Sequence, residues 1–111
     1  MRILIVEDEK ALSRVLVKIF EKNYYSVDTV YNGQEALDYI ATGNYDIVLM
    51  DVMMPVMDGL KASREIRKID RDDCRSIPII AMSANAFDED VKRSLASGMN
   101  GHLSKPVTVE K

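Results

Sequence analysis

A chain of 111 residues is one domain, large enough for a single hydrophobic core and not for two. Its composition, 47% hydrophobic and 30% charged, is that of a soluble globular protein rather than a disordered or fibrous one. A net charge of -3 with a pI near 5.1 gives no electrostatic basis for direct contact with nucleic acid or a membrane surface.

In chain order, Ile3-Leu4-Ile5-Val6 is a short apolar run ending in Glu7-Asp8, the pattern of a parallel strand buried on both faces. Met1-Arg2 leads straight into it, with no signal peptide, and no later stretch approaches membrane-spanning length, so a cytoplasmic location is expected. Leu12, Val15, Leu16, Ile19 and Phe20 recur at helical spacing and predict a helix near Ala11 to Lys22. Ser26 to Val30 alternates and predicts a more exposed strand at a sheet edge. Asn32-Gly33 caps a short helix with Ala36, Leu37, Ile40 and Ala41 inward, ended by Gly43.

Asp46 to Met50 is the third strand, and Asp51 stands at its exit. Gly59 precedes a helix near Leu60 to Ile69, and Arg71 to Ser76 reads as a polar loop holding the chance thiol Cys74. As the one cysteine, it permits neither an internal disulfide nor a zinc set. Ile77 to Met82 is a fourth strand, with Pro78 tolerated near its start. Asp88 to Ser97 predicts a helix stopped by Gly98 with Val91 and Leu95 inward, and a fifth strand lies near His102 to Ser104. Strands alternating with helices define an α/β fold, a doubly wound parallel sheet with helices on both faces. Thr108 reads as the cap of one more helix, so residues 1–111 are expected to form one domain lacking most of its C-terminal helix, cut from a longer protein.

The chemistry is expected where open α/β sheets bind ligands, outside the carboxyl ends of the strands. There Glu7, Asp8 and Asp51 converge if the first and third strands are neighbours. Such a cluster suits a divalent cation, Mg²⁺ or Mn²⁺, and Asp51 is the candidate phosphate-accepting nucleophile. Asp8 is the expected direct ligand, Glu7 the ligand through water, and the Met53 backbone carbonyl a further ligand. Strand-end acids also serve as helix caps, as Asp8 would for the helix from Ala11. Ser83, at the exit of the fourth strand, offers a hydroxyl to a phosphoryl oxygen, and small Ala84 leaves room for the group. Lys105 brings an ammonium, and Pro106 raises the chance of a cis peptide before it. Met54 and Met57 read as loop filler, or else as an adaptable apolar contact for a partner helix.

Glu7-Asp8, Asp51 with Met54-Pro55 and Asp58-Gly59, Ser83-Ala84 and Lys105-Pro106 together resemble the receiver domain of two-component signalling, over residues 1 to 107. Ser83 to Ala86 and Gly98 to Pro106 are most similar to receivers attached to hybrid histidine kinases. The resemblance implies a flavodoxin-like five-stranded sheet of order 2-1-3-4-5. It also implies Mg²⁺-dependent phosphoryl transfer from a phosphohistidine to Asp51, self-catalysed in the receiver, followed by slow autodephosphorylation tuned by Met53 and Asn85. The implied partners are a histidine kinase or a histidine phosphotransfer domain, with an output domain or a second copy as further candidates. His102 stands where the family often carries a Tyr or Phe that turns inward on activation, and its polar tip sets it apart. Rival readings are a degenerate receiver used only for docking and an aspartyl-phosphate phosphatase. The second is disfavoured because Met53 stands where such enzymes usually need a second acid.

Overall fold

The computed structural model describes residues 1–52, 57–83 and 88–104. Its elements are β1 (Arg2–Val6), α1 (Lys10–Lys22), β2 (Ser26–Val30), α2 (Gly33–Thr42), β3 (Ile47–Asp51), α3 (Gly59–Lys68), α4 (Asp72–Ser76), β4 (Ile79–Ser83), α5 (Asp88–Ala96) and β5 (Gly101–Ser104). Five parallel strands run in the order β2-β1-β3-β4-β5, the flavodoxin-like doubly wound topology, with β2 at an edge as its alternation predicts.

Side-chain alternation divides the core. Leu4, Val6, Val48, Met50, Ile79 and Ala81 face the layer that holds Ala36, Ile40, Leu60, Ala62, Ile66 and Cys74. Ile3, Ile5, Leu49 and Met82 face the other way, onto Leu12 and Leu16 of α1. Both faces of β1, β3 and β4 are therefore buried, which is why these strands read as continuous apolar runs. None of the helices in the described residues is long and apolar enough to cross a membrane.

Four expectations are corrected. The stretch Arg71 to Ser76 contains a helix, α4, and Cys74 is buried rather than lying in a polar loop. Burial raises the pKa of its thiol. Five residues carry too little period to announce a helix; tertiary contacts hold α4 there. Arg71 fixes it by donating to both Asp73 carboxylate oxygens at 2.8 and 2.9 Å and to the end carbonyls of α2, Ala41 O at 3.0 Å and Gly43 O at 3.1 Å. In α5, Leu95 points outward and is 51% exposed, whereas Ser94 and Ser97 are buried. Hydrogen bonds set that phase: Ser94 meets His102, and Ser97 Oγ accepts from Arg64 Nη1 at 3.1 Å. Met57 is half-buried against the larger core, in place of a free apolar contact. Asp51 and Ser83 are the last residues of their strands rather than the first beyond them, since the ladder continues through Val52 N–H to Met82 O at 3.0 Å.

Candidate functional site

The two strands that carry the acids are neighbours, with Val6 opposite Met50 in register. Glu7 and Asp8 follow β1 directly and Asp51 ends β3, so the sheet brings their carboxylates to one edge. One oxygen from each of Glu7, Asp8 and Asp51 lies within 4.8 Å of the others. Glu7 is fully buried, Asp51 is 1% exposed and Asp8 is open to solvent. Three ionised carboxylates at that separation repel by about 3 kcal/mol per pair at an effective dielectric of 20. Hard oxygen donors, two buried and one open, are a fitting set for a divalent cation that keeps several waters.

Local backbone explains the placement. Glu7 N–H donates to Val30 O at 3.1 Å, and Glu7 Oε2 accepts from Glu9 N–H at 2.9 Å. Glu9 is the N-cap of α1 and has no side-chain cap bond, so Asp8 does not cap that helix and instead joins the acidic cluster. Behind Asp51, Gly59 N–H donates to Val52 O at 3.0 Å, and a Cβ at Gly59 would collide with the Asp51 carbonyl oxygen. Asp58 caps α3 by accepting from Lys61 N–H at 2.8 Å. A glycine after a capping aspartate thus lets α3 start hard against the strand end.

Beside β3, Ser83 ends β4 and is 9% exposed. Its Oγ lies 2.7 Å from His102 Nε2, and His102 Nδ1 lies 3.2 Å from Ser94 Oγ of α5. His102 pairs with Ala81 in the sheet, two residues before Ser83, so both side chains lie on the α5 side. The histidine is therefore a half-buried bridge and not a surface residue. Met53, Met54, Ala84, Asn85, Lys105, Pro106 and Thr108 fall outside the described residues, and with them the expected Met53 carbonyl ligand and the expected cis peptide.

Three further residues, unmarked in the sequence, brace the sheet, Ser94 beside the site and Asn100 and Arg67 at the opposite, amino edge. Ser94 is 1% exposed and touches His102. Asn100 Oδ1 accepts from Ile79 N–H at 2.9 Å, at the start of β4. Arg67 donates to Gly98 O at 3.0 and 2.7 Å, to Cys74 O at 3.0 Å and to Asn100 Oδ1 at 2.7 Å, which ties α3 to α4 and to the α5–β5 turn. Burial lowers the Arg67 pKa from its ordinary value. The one local signal for Ser94 was its spacing of three from Ser97, which puts both hydroxyls on one side of a helix.

The chain belongs to the response regulator receiver domain family, which it matches over residues 3–111. It is 36% identical to a probable histidine kinase 1 of Oryza sativa subsp. indica, with 98% of this chain covering 14% of that protein. A solved receiver domain of the Pseudomonas aeruginosa sensor histidine kinase PA1611, with magnesium coordinated in its active-site cleft, is 38% identical with a TM-score of 0.85, over 96% of this chain and 86% of that one. The receiver domain of Ssk1, solved with the Saccharomyces cerevisiae histidine phosphotransfer protein Ypd1, matches at 29% identity and a TM-score of 0.88, over 98% of this chain and 81% of that one. Two-component signalling is thus the system in which this domain works, and receivers of histidine kinases are among its relatives.

Proposed function

We propose that the chain is a phosphorylation-dependent switch in a two-component phosphorelay, in which Asp51 accepts a phosphoryl group from a phosphohistidine. The observation that carries this reading is the near-buried Asp51 carboxylate held within 4.8 Å of those of Glu7 and Asp8 at the carboxyl edge of the sheet. An Asp51 oxygen attacks phosphorus, the phosphorus–nitrogen bond breaks, and its electron pair stays on the donor imidazole. A bound Mg²⁺ or Mn²⁺ supplies the positive charge that lets a carboxylate approach a phosphoryl group. Asp8 and Asp51 would hold that ion directly, Glu7 through a water, and the Met53 carbonyl as a further ligand.

Ser83 donates its hydroxyl to a phosphoryl oxygen, Ala84 leaves space, and Lys105 sets its ammonium against the group. The added charge, about -1.5 to -2, is what the switch reads. Catalysis of transfer resides in the receiver itself, and Met53 and Asn85 tune the slow loss of the acyl phosphate. The donor is a histidine kinase or a histidine phosphotransfer domain in the cytoplasm, a reading supported by the phosphotransfer protein bound to the yeast receiver. Similarity to kinase-borne receivers supports a place within a hybrid histidine kinase.

The test is incubation with Mg²⁺ and a small phosphodonor, followed by intact mass. One added phosphoryl group in the wild type, lost in Asp51→Asn, is the expected result. No adduct in the wild type, or an undiminished one in Asp51→Asn, overturns the reading.

A further inference from the structure

We propose that Ser94 is a positioning residue for the phosphoryl-binding hydroxyl: acting through the His102 ring, it decides which way the Ser83 proton points. This rests on the phosphoacceptor reading given above. Among the described residues the geometry joins three side chains, Ser83 Oγ to His102 Nε2 at 2.7 Å and His102 Nδ1 to Ser94 Oγ at 3.2 Å. Its two ends differ. Ser83 closes β4 at the rim of the site, whereas Ser94 is 1% exposed inside the α5 contact.

A neutral imidazole carries one N–H donor and one bare nitrogen acceptor, so of two hydroxyls bonded to its two nitrogens one must donate and the other must accept. When Ser83 gives its proton to a phosphoryl oxygen, its Oγ can only accept from the ring. In the neutral ring Nε2 must then carry the hydrogen, Nδ1 is the acceptor, and Ser94 must be the donor. Arrival of the phosphoryl group therefore selects one tautomer, and the selection is felt at a buried serine of α5. A tyrosine or phenylalanine ring at position 102 has no second ring atom with which to pass this on. The chain contains a single histidine, so its ring nitrogens are observable without ambiguity.

Ser94→Ala removes the donor that the required tautomer needs and leaves Nδ1 facing a methyl group. The loss of one buried hydrogen bond of ordinary strength corresponds to about a threefold to tenfold slower phosphorylation. Ser94→Thr restores the hydroxyl and should restore the rate. His102→Gln supplies one donor and one acceptor and should retain more activity than His102→Phe.

The experiment is nitrogen-15 NMR of the imidazole with Mg²⁺ and beryllofluoride as the phosphoryl mimic, in wild type, Ser94→Ala and Ser94→Thr, with the adduct followed by fluorine-19 signals. Wild type and Ser94→Thr should show the adduct with hydrogen on Nε2, and Ser94→Ala a mixed tautomer and slower phosphorylation. An adduct with hydrogen on Nδ1, or a ring signal and rate unchanged in Ser94→Ala, overturns the positioning role and leaves the phosphoacceptor reading standing. No adduct on wild-type protein overturns both.

Discussion

Gly59 sits where only a hydrogen atom fits, because the Asp51 carbonyl oxygen occupies the space of a side chain. Gly59→Ala should therefore cost about 2–3 kcal/mol of unfolding free energy, read as a lowered urea midpoint, and should also slow phosphorylation by shifting Asp51. Cys74 is the sole cysteine, 1% exposed, with its thiol pKa raised by burial. Thiolate is the reactive form, so native protein should resist alkylation at neutral pH and react fully on unfolding, as mass spectrometry would show. A native rate equal to that in denaturant would contradict the burial. If the apolar Met53 side chain slows loss of the acyl phosphate, Met53→Asn should lose it faster, measured as released inorganic phosphate. Residue by residue, the acids were legible because each follows or ends an apolar strand run, whereas the burial of Cys74 depends on tertiary packing of a helix too short to show a period.

At the scale of elements, strands and longer helices were legible because burial on two faces leaves a continuous apolar run and burial on one face imposes a period. The phase of α5 was not, since Ser94 and Ser97 turn inward for hydrogen bonds and leave Leu95 in solvent. Hydropathy cannot weigh a partner it does not see. Arg67 likewise reads as an ordinary charge near the end of α3, yet it satisfies carbonyls from two other segments. Arg67→Ala should cost about 2–4 kcal/mol, because it leaves half-buried acceptors without donors. Arg67→Lys should recover only part of this, since one ammonium cannot span the fork. Equal urea midpoints for wild type and Arg67→Ala would refute the assignment.

Across the whole molecule the two ends of the sheet differ in kind. At the amino end, Asp28 Oδ2 accepts from Tyr45 hydroxyl at 2.6 Å and from Arg2 Nη2 at 2.7 Å, while Asp46 Oδ2 accepts from Arg2 N–H at 2.7 Å. Burial, then the bond to Asp28, pushes the Tyr45 hydroxyl from 10.0 to about 12. The folded protein holds this proton more tightly, so the stability it contributes is complete below pH 10 and is lost as pH rises through about 12. Wild type should exceed Tyr45→Phe by about 1–2 kcal/mol at pH 8, with the gap closing in alkaline urea melts. A gap that is constant with pH would contradict the shift. At the carboxyl end the acidic cluster was legible through topology alone, because neighbouring β1 and β3 bring distant acids together. The bridge from Ser83 through His102 to Ser94 was not, since it depends on the rotation of α5.

The grip of Arg67 on Gly98 anchors the turn between α5 and β5. Gly98 holds φ at 93°, a left-handed conformation that only glycine adopts cheaply, and its carbonyl is pinned by two guanidinium nitrogens. That makes the turn a fulcrum. Nine helical residues reach about 13 Å from it, so a tilt of about ten degrees carries the Asp88 end roughly 2 Å while the Gly98 end stays in place. A tilt about this turn keeps both Arg67 bonds intact where a slide along the helix axis would break them, and it moves the Asp88 end most.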